Sequence, residues 1–177
     1  MLFIRGIKKL YRQIKSDEKG IALLEFALVA PIFFMLILGI IEISIMTFVS
    51  AAFDDAGRSA SRLIRIGEVQ QSANAETTFR TALCTGLPAI INCNDISIDV
   101  RTFDDFATVT TGIQLDNEGN PINTAFTPGG SSTVNIVRLS YRWEFFTPLI
   151  GNLLSDNNTN SVLLSSLTVQ LTEPYGS

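Results

Sequence analysis

The residues able to do chemistry in this chain are few. Histidine is absent, which removes the Ser-His-Asp and Cys-His nucleophile arrangements and the commonest metal ligand together. Acidic pairs occur at Asp104 and Asp105 and at Asp116 and Glu118. They could offer oxygens to a hard cation, but they lack the spacing of a recognised calcium loop, so no metal site and no cofactor are expected. Cys84 and Cys93 are an even pair. What remains is a different kind of feature: two carboxylates, Glu25 and Glu42, inside a run that is otherwise uncharged from Gly20 to Ser50.

That run decides the organisation of the chain. A hydrocarbon core of about 30 Å needs roughly 20 apolar residues at 1.5 Å each, and the run is longer. A signal-peptide core is typically about 7 to 15 residues and ends at an A-x-A-like site. The run is about twice that length and no such site closes it, so removal by signal peptidase is not expected. Before Gly20 stand six basic residues, Arg5, Lys8, Lys9, Arg12, Lys15 and Lys19, against Asp17 and Glu18. A basic flank stays on the cytoplasmic side, which predicts a single pass with the N-terminus inside and the following domain outside. Apolar positions alternate with the basic ones in residues 1–19; the segment either lies as a helix on an anionic inner leaflet or is a disordered flank.

From Ala51 onward there are seven basic and 13 acidic residues, a difference of -6, which argues against nucleic acid as a partner. The expected divisions are 1–20 as a basic cytoplasmic leader, 21–50 as a transmembrane helix and 51–177 as one soluble domain. Both cysteines then fall on the outer side. There a disulfide Cys84–Cys93 is the natural reading, with two buried thiols as the other.

The apolar helix should continue past the membrane. Ala51–Ile66 has no proline and places small or apolar residues at Ala52, Ala56, Ala60, Leu63 and Ile64, a helical spacing. Pro31 should bend this long helix, and Gly67 should stop it. A second helix is expected over about Ser72–Thr85, with Phe79, Ala82 and Leu83 inward. The period then changes. Ile96, Ile98 and Val100 alternate with polar residues, as do Val137, Leu139, Tyr141, Trp143 and Phe145, and again Leu167, Val169 and Leu171; each set predicts a strand. Val109 suggests a further short one. A polar segment over Thr110–Ser132 reads as a long surface loop, and Asn152–Ser161 as a second polar insertion. The fold class is α+β: a long helix, then three or four antiparallel strands whose one face its outer half can cover.

The segment Lys19-Gly20-Ile21-Ala22-Leu23-Leu24-Glu25-Phe26 resembles the processing site of prepilins. With Glu25-Phe26-Ala27-Leu28-Val29-Ala30-Pro31 and Gly39-Ile40-Ile41-Glu42 it is similar to the TadE-like proteins, minor pseudopilins of tight-adherence (Flp) pilus assembly. The resemblance covers residues 16–66 with specific motifs and the rest only in general pattern. It implies a pilin-like fold in the bacterial inner membrane with its domain in the periplasm. It further implies cleavage after Gly20 by a prepilin peptidase, and other pilin-like subunits and the pilus assembly machinery as partners. The processing residues carried over are Gly20, Ile21, Glu25 and Phe26, and the implied partner of Glu25 is the free amine that cleavage makes on a neighbouring subunit.

The residues also have readings of their own. Gly20 lacks a Cβ, so a peptidase can approach its backbone closely; the alternative is a glycine at a helix start with no processing. An ionised carboxylate at membrane depth costs a few kcal/mol, so Glu25 must neutralise, reach head groups or find a cation. Glu42 lies 17 residues further on, about 25 Å along a helix, where it meets the outer interface or an adjacent subunit. Arg58, Arg62 and Arg65 share one helix face, with Asp54 one turn earlier; this is a solvated face or a subunit contact. Gly57 with Ala56, Ala60 and Ser61 offers a surface that another helix could approach. The expected function is a minor pseudopilin with no enzymatic activity and no small-molecule substrate. The competing expectation is an unprocessed single-pass anchor that displays a periplasmic adhesive or binding domain.

Overall fold

The computed structural model describes residues 18–156 and 159–175, so all but the last two positions of the amphipathic segment read at residues 1–19 lie outside the described residues. The first helix, α1, is Glu18–Arg65, 48 residues, and continues through Pro31. The chain divides into two compact units, Met1–Ile41 and Glu42–Ser177.

Among the described residues the first unit consists of α1. Its apolar side chains have no core to enter: Leu23 is 73% exposed, Phe26 67% and Leu28 69%. An apolar helix with nearly all its side chains exposed suits a lipid environment rather than water, and by length and composition this one can cross a membrane.

In the second unit the same helix has a buried stripe. Val49, Phe53, Ala56, Ala60 and Ile64 are 3% exposed or less, and steps of three and four residues keep them on one face. They share a core with Val137, Leu139, Trp143 and Leu164 of the sheet. Gly67, at φ 80°, follows the last turn, a left-handed conformation that glycine adopts without steric cost. The helix expected over about Ser72–Thr85 is present as a single element, and a short additional helix precedes it. A short α2, Glu68–Gln71, ends at Ser72, and α3, Ala75–Thr85, starts where the Asn74 side chain accepts a hydrogen bond from the Thr77 N–H at 3.2 Å. Phe79 and Leu83 of α3 are fully buried.

The three strands are β1 (Ser97–Phe103), β2 (Val134–Glu144) and β3 (Ser161–Leu171), antiparallel in the order β1-β2-β3. Between β2 and β3 lies α4, Pro148–Leu154. The fold is thus α+β, as expected. Val109, however, lies in no strand; it follows a 3-10 turn, Phe106–Thr108. The outer edge of β1 is taken instead by the end of the long loop, where Val100 donates its N–H to the Ala125 carbonyl and accepts one from Thr127. Sequence reading also missed α4. It is short, and its start signal, proline at the first helical position, is followed within a few residues by an asparagine-rich stretch.

β3 forms where its alternation predicts, but its most regular apolar set faces away from α1. Leu167, Val169 and Leu171 are exposed, whereas Leu164, Ser166 and Thr172 are buried. The reason is the close approach of helix and sheet. A Cβ on Gly57 would lie 2.9 Å from Leu139 Cδ1 and 3.1 Å from Ser166 Oγ, so position 57 has no room for a side chain and β3 places the small Ser166 beside Leu139 there. Gln170 also donates to the Ser61 carbonyl at 2.6 Å. The small surface around Gly57 therefore meets the protein's own sheet. Gly57→Val should cost about 1–3 kcal/mol through overpacking, measurable as a lower guanidinium midpoint of Trp143 fluorescence in detergent; an unchanged midpoint contradicts this packing.

Candidate functional site

The processing residues lie in the first two turns of α1. Gly20 is its third residue, where backbone N–H groups have no partner within the helix, and a Cβ there would meet nothing within 4 Å. The backbone is thus open to an approaching protein and little helical hydrogen bonding holds it. Ile21 and Phe26 are 54% and 67% exposed. Glu25 is exposed as well, and among the described residues none forms a hydrogen bond or ion pair with it. Chemically, this is a lone carboxylate on an apolar helix surface.

Glu42 differs. It is only 4% exposed, and its carboxylate accepts hydrogen bonds from the backbone N–H groups of Phe146 and, at 3.0 Å, Thr147. Thr147 is the cap of α4 and its own side chain makes no capping bond. Glu42 therefore supplies from α1 the acceptor that the start of α4 lacks, with a favourable charge for that end of a helix. A carboxylate in an apolar run signals that it needs a partner, but sequence carried no sign of which one, because backbone donors have no residue signature.

Arg58, Arg62 and Arg65 are all exposed. Arg65 pairs with Glu173, its Nη2 2.8 Å from Oε1, while its carbonyl accepts the Glu173 N–H at 2.7 Å. It therefore fastens the C-terminal segment to the end of α1. Among the described residues Arg58 and Arg62 form no ion pair. Cys84 and Cys93 form a disulfide with Cα atoms 5.7 Å apart, joining the end of α3 to the 3-10 turn that leads into β1.

Sequence reading missed one cluster on the sheet face opposite α1. Asp99 accepts from Arg101 Nε and from the Ala125 N–H, both at 2.9 Å, and from Arg138 Nη1 at 2.8 Å. Burial works against its ionised form, but the bonds from Arg101, Ala125 and Arg138 outweigh this and hold its carboxyl below the usual aspartate range. Arg138 is 5% exposed and lines a cavity of about 350 Å³ together with Ser97, Ser140 and Ile122. Asp99 lies on the polar side of the β1 alternation, which reads as solvent-facing; the long loop folds over that side and buries it. Asp116 is also occupied, accepting from the N–H groups of Glu118 and Asn120 to form its own turn.

If Glu42 caps α4, Glu42→Ala strands two backbone donors and should lower the guanidinium stability of the Glu42–Ser177 unit by about 1–3 kcal/mol. Glu42→Gln, which keeps an acceptor, should lose less. Equal midpoints for Glu42→Ala and wild type contradict the assignment.

Residues 20–62 match the family model described as TadE-like protein. No curated protein and no solved structure matches the chain. The matched residues contain Gly20, Glu25, the Glu25–Pro31 run and Glu42, so the helix on which the candidate site is built is similar to that of TadE-like proteins.

Proposed function

We propose that this protein is a minor pseudopilin of a tight-adherence pilus. It is held in the inner membrane by α1 with its N-terminus inside and its domain in the periplasm, and a prepilin peptidase cuts it after Gly20. The TadE-like match over residues 20–62 supports a protein related to that pilus, and the basic flank before Gly20 supports the orientation. Its work is structural: it is a subunit that primes or completes an assembly of pilin-like chains.

The observation that carries the reading is Glu25. It is exposed on a helix whose apolar side chains are themselves exposed, and no described residue of its own chain pairs with it. In hydrocarbon that arrangement costs a few kcal/mol unless a cation is brought to it. Cleavage after Gly20 makes such a cation, the amine of Ile21, on each neighbouring subunit. Pairing Glu25 with that amine favours one register of helix against helix, because any other leaves both charges in lipid. Glu42 is engaged within its own unit, so the intersubunit role falls first on Glu25. Arg58 and Arg62 offer a second, polar contact beyond the membrane, and Arg65 contributes less because Glu173 holds it.

Glu25→Ala should insert into the membrane at wild-type levels but fail to support piliation. Normal piliation by Glu25→Ala would remove Glu25 from the assembly contact.

A further inference from the structure

The turn into α4 and α4 itself expose apolar surface in one place. Phe146 is 76% exposed, Leu153 72%, Leu149 46% and Leu154 43%. The eleven residues from Phe145 to Ser155 carry no charge, although the surrounding domain is acidic. Phe146, Leu149 and Leu153 are spaced to share one side of the segment, while Ile150 packs against the core and Gly151 is buried. A contiguous apolar patch of this kind on a water-facing domain marks a contact.

The position of the patch identifies what it contacts. Glu42 holds the N–H groups of Phe146 and Thr147, so the patch begins beside the turn of α1 that carries Glu42. The next turns of α1 also expose Ile43, Ile45 and Phe48. A bilayer core of about 30 Å takes roughly 20 residues of helix. A span that enters at Gly20 therefore leaves the hydrocarbon near Ile40, and Glu42 with the backbone it binds lies at the boundary. Charges return just outside the patch, at Glu144 and Asp156, both exposed.

We infer that the segment Phe146–Leu154 is a second membrane contact, seated with Phe146, Leu149 and Leu153 in the head-group and acyl boundary of the leaflet from which α1 emerges. This rests on reading α1 as a membrane span. A short uncharged helix with apolar residues on one side lies in that boundary by burying its apolar face. The Glu42 hydrogen bonds then fix the depth of α4 relative to the turn of α1 that leaves the membrane. The domain thereby gains a second point of attachment to the bilayer surface.

The test uses the full chain in vesicles of phosphatidylcholine and phosphatidylglycerol, with dibrominated phosphatidylcholine as the quencher and wild-type Trp143 emission subtracted. Leu153→Trp reports the contact at a position whose exposure leaves the fold undisturbed. Phe34→Trp reports the span. Leu115→Trp, on an exposed leucine of the long loop, controls for the preference of tryptophan for interfaces. Brominated lipid should quench Leu153→Trp and Phe34→Trp severalfold more strongly than Leu115→Trp. If Phe34→Trp is quenched and Leu153→Trp behaves as Leu115→Trp does, the contact is overturned and the span stands. If neither is quenched, both are overturned. Shielding of Leu153→Trp from iodide without quenching by lipid, lost on dilution with lipid, assigns the face to a second copy of the chain and overturns the proposal.

Discussion

One continuous helix has to satisfy two surroundings, and the change falls at a buried carboxylate. Up to Ile41, α1 exposes its apolar side chains; from Val49 onward it buries a stripe of them against its own sheet. Glu42 stands between, with two backbone N–H groups on its carboxylate. A charge there without hydrogen bonds would be costly on either side. That pairing ties the start of α4 to this turn of α1.

The same economy explains the sheet. Because α1 lies close enough for a Cβ on Gly57 to crowd Leu139, the β3 residues that share this place with Leu139 must be small or able to reach the backbone of α1. Ser166 and Gln170 meet that need, and the leucines and valine of β3 are turned outward as a result. On the other face the Asp99, Arg101 and Arg138 cluster draws the long loop down over β1. The sheet is therefore covered by a helix on one side and partly by a loop pinned with charges on the other.

Local pattern made much of this legible. The apolar run, the stop at Gly67, the inward positions Phe79 and Leu83, the three strands and the Cys84–Cys93 pairing follow from periodicity, glycine conformation and cysteine count. The TadE-like resemblance was legible for a different reason: its motif residues, Gly20 to Pro31 and Gly39 to Glu42, are neighbours on one helix. What escaped was set by distant partners. The outward face of Leu167, Val169 and Leu171 depends on Gly57, more than a hundred residues earlier. The burial of Asp99 depends on a loop that reads as solvated, and the partner of Glu42 is backbone. Periodicity reports which residues share a side, and only packing decides which side is inside.

In this account α1 is an assembly element in which Glu25 waits for the amine of Ile21, which exists only after cleavage. The most direct measurement is the mass of the protein isolated from cells that hold a prepilin peptidase. The account predicts a chain that begins at Ile21. A chain that still carries Met1–Gly20 contradicts it, because the helix would then act as an anchor alone.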